Sequence, residues 1–412
     1  MAKVYLSKSI ISVGLFCALL VIEISVVGNA FSFHTGLPRY SVFFGISCLI
    51  FLINYPFQLK IFRRSYVVLC ILVLTGLASD FLFSSAHKLY MVKIIILISL
   101  VYLCFNDGEY LRRSIGRTFL HLSNIGLLLG LSAILLPEVL VFEADYVNVL
   151  RRQGDGYENT FYWSRNFSGL FLIGDEPNPL AILEQIPRYG GYYNEPAVNT
   201  FILCFSIALL LGSNYKFSKT VILLTAINFL LSFSIAGFSC IAILLFTNSI
   251  LRRKSNVRII NIGRFIGFTL IIGLASPIFI NSEYLLMKLG GSLDGSIALW
   301  RGITESGFLN TSSFNARVGD FNEANINIVS TFIWVSVLIY IGVKFCIDLV
   351  LTWLVKSSVG VKRSDAASNL WIVVVIIFSF KSINHYLFIP IVFVIMAQMM
   401  FVNRRRYLEN LQ

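Results

Sequence analysis

Arg188, Gly190, Gly191, Tyr192, Tyr193, Asn194, Glu195 and Pro196 crowd into the stretch "IPRYGGYYNEP", directly before the apolar run "AVNTFILCFSIALLLG". An arginine is permanently charged and bonds two oxygens at once, which suits a pyrophosphate. A carboxylate within hydrogen-bond reach of a hydroxyl can take its proton. Glu195 and Pro196 also fit a plainer task. Proline suits the first turn of a helix, where its missing N–H costs nothing, and an acidic residue just before it complements the helix amino terminus. Capping leaves Arg188 and the paired glycines unexplained. Gly190 and Gly191 permit a tight backbone turn that folds Arg188 back toward the mouth of the helix.

A second group of the same chemistry, Arg317 and Asp320, lies in "TSSFNARVGDFNEAN". Both groups fall in long connecting segments, residues 140–195 and 281–326. Connections of that length are functional or disordered. The first carries Trp163, Arg165 and a run of Tyr, Phe, Asp and Glu, a composition that disordered chains lack, so it is expected to be folded. Aromatic rings beside carboxylates and amides suit sugars, whose C–H faces stack on rings while hydroxyls need polar partners. An amphipathic segment lying at a membrane surface is the plainer alternative.

The elements that must position these residues are dictated by an apolar chain. Of its 412 residues, 57% are hydrophobic and 13% charged, and the mean hydropathy is +0.79. This composition predicts an all-α polytopic integral membrane protein, a single membrane domain over 1–412 with about twelve transmembrane helices. The expected spans are 9–28, 41–56, 66–84, 90–105, 118–137, 196–213, 219–234, 236–250, 260–280, 327–350, 369–381 and 385–402. The seventh and eighth share one stretch, "VILLTAINFLLSFSIAGFSCIAILLF", broken around Gly237. Reading it as two helices keeps Arg252, Arg253, Lys254 and Arg258 on the same side as Arg112, Arg113 and Arg117. Both termini are then cytoplasmic and the two long segments face the periplasm. The net charge of +12 follows from these basic inner loops beside anionic lipid and requires no nucleic acid. The seven cysteines fall within expected helices, and the four histidines lack ligand spacing. Neither a metal nor a cofactor is expected.

Arg188, Gly191, Tyr193, Glu195 and Pro196, followed by a helix and the "SFSIAG" helix pair, resemble the bacterial O-antigen polymerase and ligase superfamily. There, a motif of the form R-x-x-G-x-F/Y-x-E-P closes the large periplasmic loop and a second arginine lies in a later one, where Arg317 falls here. The resemblance implies the C-type glycosyltransferase architecture. The implied donor is an oligosaccharide on undecaprenyl pyrophosphate at the inner membrane, with a chain-length regulator and a flippase as partners. Arg188 and Arg317 would bind the leaving phosphates, and Glu195, or second to it Asp320, would act as base. Arg165, Tyr192, Tyr193 and Asn194 would contact sugar or phosphate. An arginine followed eleven positions on by glycine, found in some of these polymerases, is absent. The superfamily's ligases place a histidine in the second long segment. Residues 281–326 hold none, which favours a polymerase, although His385 near the end of the last expected helix keeps a ligase open. A lipid-linked sugar flippase or transporter is the other alternative. No half-to-half repeat supports it, and Glu23, Lys93, Lys344 and Asp348 read as structural charges.

Overall fold

The computed structural model describes residues 2–25, 37–55, 71, 74–75, 88–105, 108–135, 142–153, 156–166, 172–177, 187–193, 196–213, 215–232, 234–252, 340, 342–343 and 370–374. Its described elements are helices α1 (Ala2–Ile24), α2 (Arg39–Ile53), α3 (Lys88–Cys104) and α4 (Gly108–Leu135), then strands β1 (Phe142–Gln153), β2 (Gly156–Asn166), β3 (Leu172–Pro177) and β4 (Pro187–Gly191), then helices α5 (Pro196–Gly212), α6 (Lys219–Ser232) and α7 (Ile235–Arg252). The chain divides into two compact units. One comprises 1–118, 302–341 and 382–412, and the other 119–301 and 342–381.

In the first unit α1 packs on α2 and α2 on α3. Phe16, Leu20, Phe43, Ile50, Leu100 and Phe105 are buried there, and the rings of Phe16 and Phe105 meet edge-on with centroids 5.1 Å apart. Polar groups cross the same core. Asn54 Nδ2 donates to Ser12 Oγ at 2.9 Å, and Lys93 Nζ donates to both Glu23 carboxylate oxygens at 3.0 Å. Arg39 donates to the Glu23 carbonyl, one of the last carbonyls of α1, which no helical N–H can reach.

In the second unit, the four strands form one antiparallel sheet in the order β1-β2-β3-β4. Gln153 pairs with Gly156, leaving only Gly154 and Asp155 between the paired positions, the spacing of a two-residue hairpin. Tyr146 pairs with Trp163, Trp163 with Ile173 and Ile173 with Tyr189, so these four residues hold consecutive register positions across the sheet. β4 packs on α5 and α6, and α5 on α6 and α7. α5 is the centre of this unit: all its residues from Asn199 to Leu210 are buried. That fits its sequence, which is apolar all round rather than along one stripe.

The "SFSIAG" stretch separates two helices, α6 ending at Ser232 and α7 starting at Ile235. Ser234 Oγ accepts a hydrogen bond from the Gly237 N–H at 3.4 Å, so Ser234 caps α7 in place of the glycine. Gly237 has another role. A methyl group there would lie 2.8 Å from Thr200 Cβ, so its missing side chain lets α7 approach α5.

The expectation of an all-α protein with about twelve membrane-spanning helices is corrected in two respects. Residues 142–191 contain a four-stranded sheet. Among the described residues, no helix is long and apolar enough to cross a membrane. Helices α2, α3, α5 and α6 have 15, 17, 17 and 14 residues, a rise of about 21–26 Å against the roughly 30 Å of a hydrocarbon core. The longest, α4, has 28 residues but carries Glu109, Arg112, Arg113 and Arg117 in its first half. The expected spans at 260–280 and 385–402 lie outside the described residues, and those at 66–84, 327–350 and 369–381 lie mostly outside them.

Candidate functional site

The turn between β4 and α5 follows from its glycines. The Tyr193 N–H donates to the Gly190 carbonyl at 3.2 Å, closing four residues, and Gly191 within that turn has φ +66°. This left-handed conformation is strained for any residue with a Cβ. Arg188 stands in β4, two residues before the turn, and α5 opens at Pro196, three residues after it. The chain therefore reverses sharply between an arginine and a helix amino terminus, whose free N–H groups and dipole favour negative charge.

The tyrosines of this stretch are interior residues. Tyr189, Tyr192 and Tyr193 are 3%, 6% and 0% exposed. Tyr192 and Tyr189 lie against Gly126 of α4, and Tyr189 also against Gly130. Tyr193 lies beside Ser123 of the same helix. Burial pushes all three phenols above their usual range, Tyr189 and Tyr193 most, because the charged form has no water to solvate it. The side chains of Tyr192 and Tyr193 thus face helix packing, not the open surface that a sugar-stacking role would use.

Behind the turn lies a buried polar layer shared by α4, α5 and α6. Asn199 Nδ2 donates to Asn228 Oδ1 at 2.8 Å and to Ser232 Oγ at 2.7 Å. Asn228 Nδ2 donates to the Ser123 carbonyl at 3.0 Å, and Asn124 Nδ2 to Thr225 Oγ1 at 3.1 Å. Asn124 Oδ1, Asn199 Oδ1 and Tyr189 Oη are buried without a hydrogen-bond partner among the described residues. Such oxygens in a polar interior are the usual seats of ordered water.

Sequence reasoning missed this layer and the glycine pair of α4. The pair was visible as the G-x-x-x-G spacing of "GLLLG", but nothing local names the tyrosines as its occupants. The asparagines carried a weaker signal, an amide inside each of three largely apolar runs.

Of the expected site residues, the structure brings Arg188, Tyr192 and Tyr193 into one strand-and-turn unit. Arg165 stands in β2 two residues beyond Trp163, whereas Arg188 stands one before Tyr189, so the two arginines occupy positions of opposite parity in the pleat. Asn194, Glu195, Arg317 and Asp320 lie outside the described residues. Among the described residues, no cluster of His, Cys, Asp and Glu could hold a metal ion. No family model, curated protein or solved structure matches this chain.

Proposed function

We propose that the protein is a metal-independent glycosyltransferase acting at the periplasmic face of the bacterial inner membrane. It joins oligosaccharide repeat units carried on undecaprenyl pyrophosphate into O-antigen or a similar surface polysaccharide. The observation that supports this reading is the turn closed between Gly190 and Tyr193, which reverses the chain between the strand of Arg188 and the start of α5. An arginine and a helix amino terminus on the two sides of a reversal that glycine favours are suited to a pyrophosphate. Large apolar side chains left exposed on the helices, including Leu52 at 72% and Leu223 at 61%, suit contact with lipid and a lipid-borne substrate.

The chemistry then follows. A hydroxyl oxygen of the acceptor sugar attacks the anomeric carbon of the donor, and the bond from that carbon to the pyrophosphate oxygen breaks. Negative charge develops on the departing pyrophosphate, where Arg188 and Arg317 bind it. Preorganised charge of this kind is usually the largest catalytic contribution. Glu195 takes the hydroxyl proton, with Asp320 second in line, and Arg165 and Asn194 contact sugar or phosphate. A flippase supplies the donor and a chain-length regulator limits the product.

The test is polymer formation by the purified protein from a lipid-linked repeat unit, with neither metal nor nucleotide added, alongside a lipopolysaccharide gel of a deletion strain. Polymer in the first, and loss of the long ladder with one unit still attached to the core in the second, are expected. Complete loss of attached sugar points to a ligase or flippase instead.

A further inference from the structure

We infer that Gly126 and Gly130 of α4 form a notch that seats Tyr189 and Tyr192 and thereby positions the Gly190–Tyr193 turn. The inference rests on the glycosyltransferase reading for its catalytic consequence, but the seating itself is independent of it. A Cβ added at Gly126 would lie 2.7 Å from Tyr192 Cε2 and 2.9 Å from Tyr189 Oη, and one at Gly130 would lie 2.6 Å from Tyr189 Cε2. Real Cβ atoms do not approach that closely, so one partner must move. The Tyr189 ring has little freedom to do so. Its Cε2 edge faces Gly130, while its Cε1 edge faces Gly191, where an added Cβ would sit 3.2 Å away. The ring is gripped between the notch and its own turn.

Tyr189 adjoins Arg188, and Tyr192 is three residues from Glu195. A ring pushed out of the notch takes the backbone on one or both sides of the turn with it. A misplacement of about 1 Å in a catalytic group costs about a hundredfold in rate. Gly126 and Gly130 are therefore positioning residues. The sequence contains suitable controls, because Gly14 in α1 and Gly45 in α2 have nothing within 4 Å of an added Cβ. Alanine at either should be neutral or slightly stabilising.

The experiment compares Gly126→Ala, Gly130→Ala, Gly14→Ala and Gly45→Ala in purified full-length protein. Polymerisation rate and the fraction of tyrosine ionised at pH 11, read by absorbance near 295 nm, are measured together with the melting temperature. Gly126→Ala and Gly130→Ala should lose at least tenfold in kcat and expose additional ionisable tyrosine while still melting cooperatively. The two controls should match wild type. Trimming the ring in Gly126→Ala/Tyr192→Leu should recover part of the lost rate, which a general folding defect would not allow. If wild type polymerises and both α4 variants keep more than half its rate, the positioning role is overturned. If wild type makes no polymer, the glycosyltransferase reading fails with its catalytic consequence, and the tyrosine titration alone decides the seating. Unchanged ionisation in both α4 variants overturns it.

Discussion

Lys93 Nζ lies 3.0 Å from Glu23, joining residues 70 positions apart. The two side chains are only 14% and 16% exposed. Lys93 also stands over the Phe43 ring at 5.3 Å, and Arg39 Nε is 3.9 Å from the same carboxylate. One acid therefore serves two cations in the interior of α1, α2 and α3. Breaking a fully buried pair by removing one partner costs about 3–5 kcal/mol, because the other charge is left without compensation, and this part-buried pair should cost less. Removal should be asymmetric here. Glu23→Gln takes the carboxylate from both Lys93 and Arg39, although Arg39 keeps its backbone carbonyl partners, whereas Lys93→Met leaves Glu23 its arginine. Thermal melting should show the larger loss for Glu23→Gln, and equal losses would mean that Arg39 contributes nothing.

The buried amides of the second unit supply another test. Asn228 is 0% exposed. It accepts from Asn199 and from Ser232 and donates to the Ser123 carbonyl, so Asn228→Ala removes three buried hydrogen bonds, at about 0.5–1.5 kcal/mol each. Thr225→Val removes two, the acceptor of Asn124 Nδ2 and the hydroxyl's own bond to the Val221 carbonyl, and should cost less. The order of the two melting temperatures checks this, and a reversed order would show that the former partners of Asn228 are satisfied by other groups after substitution.

Alkaline pH should loosen the turn. Well below pH 10 the tyrosines are neutral in the folded and the unfolded chain, so their titration gives stability no pH dependence there. Above pH 10 the unfolded chain releases phenolic protons that Tyr189 and Tyr193, raised by burial, retain when folded. Stability then falls as pH rises, by up to about 1.4 kcal/mol per unit for each protected tyrosine. Melting curves between pH 8 and 12 should decline more gently in Tyr193→Phe than in wild type. Parallel curves would mean that Tyr193 ionises without unfolding.

Glu195 separates two roles by one substitution. A helix cap is served by a neutral oxygen, so Glu195→Gln should cost below about 1 kcal/mol in stability and leave polymerisation near normal if capping is its whole task. A general base typically contributes on the order of a hundredfold to ten-thousandfold in rate, and the proposed mechanism requires a loss of that size in purified protein. A near-normal rate would pass the role of base to Asp320.

Arg188 and Arg317 are expected to act through charge and planar geometry together. Alanine at either should abolish polymer at unchanged protein level. Lysine should leave a small residual activity, because it keeps the charge but loses the two-toothed fork. A wild-type ladder from either alanine variant removes that arginine from the site.

The sequence by itself determined features that are local. Apolar runs over 9–28, 41–56, 90–105 and 196–213 mark where helices lie, since periodic or continuous burial is written in neighbouring residues. Gly190 and Gly191 announced a tight turn, and Pro196 the start of α5, because each restricts or frees the backbone at its own position. The sheet was partly legible, with Gly154–Asp155 between two runs rich in Tyr, Phe and Val signalling a hairpin. A membrane reading of the whole chain obscured it. Tertiary structure alone decided which partners meet. Hydropathy marked Glu23 and Lys93 as charges in apolar helices but could not pair them. Asn199 with Asn228, and the Gly126–Gly130 notch with Tyr189 and Tyr192, were equally hidden. Pairing of this kind depends on which helix faces come to lie against each other, a property of the whole packed chain that no window of sequence contains.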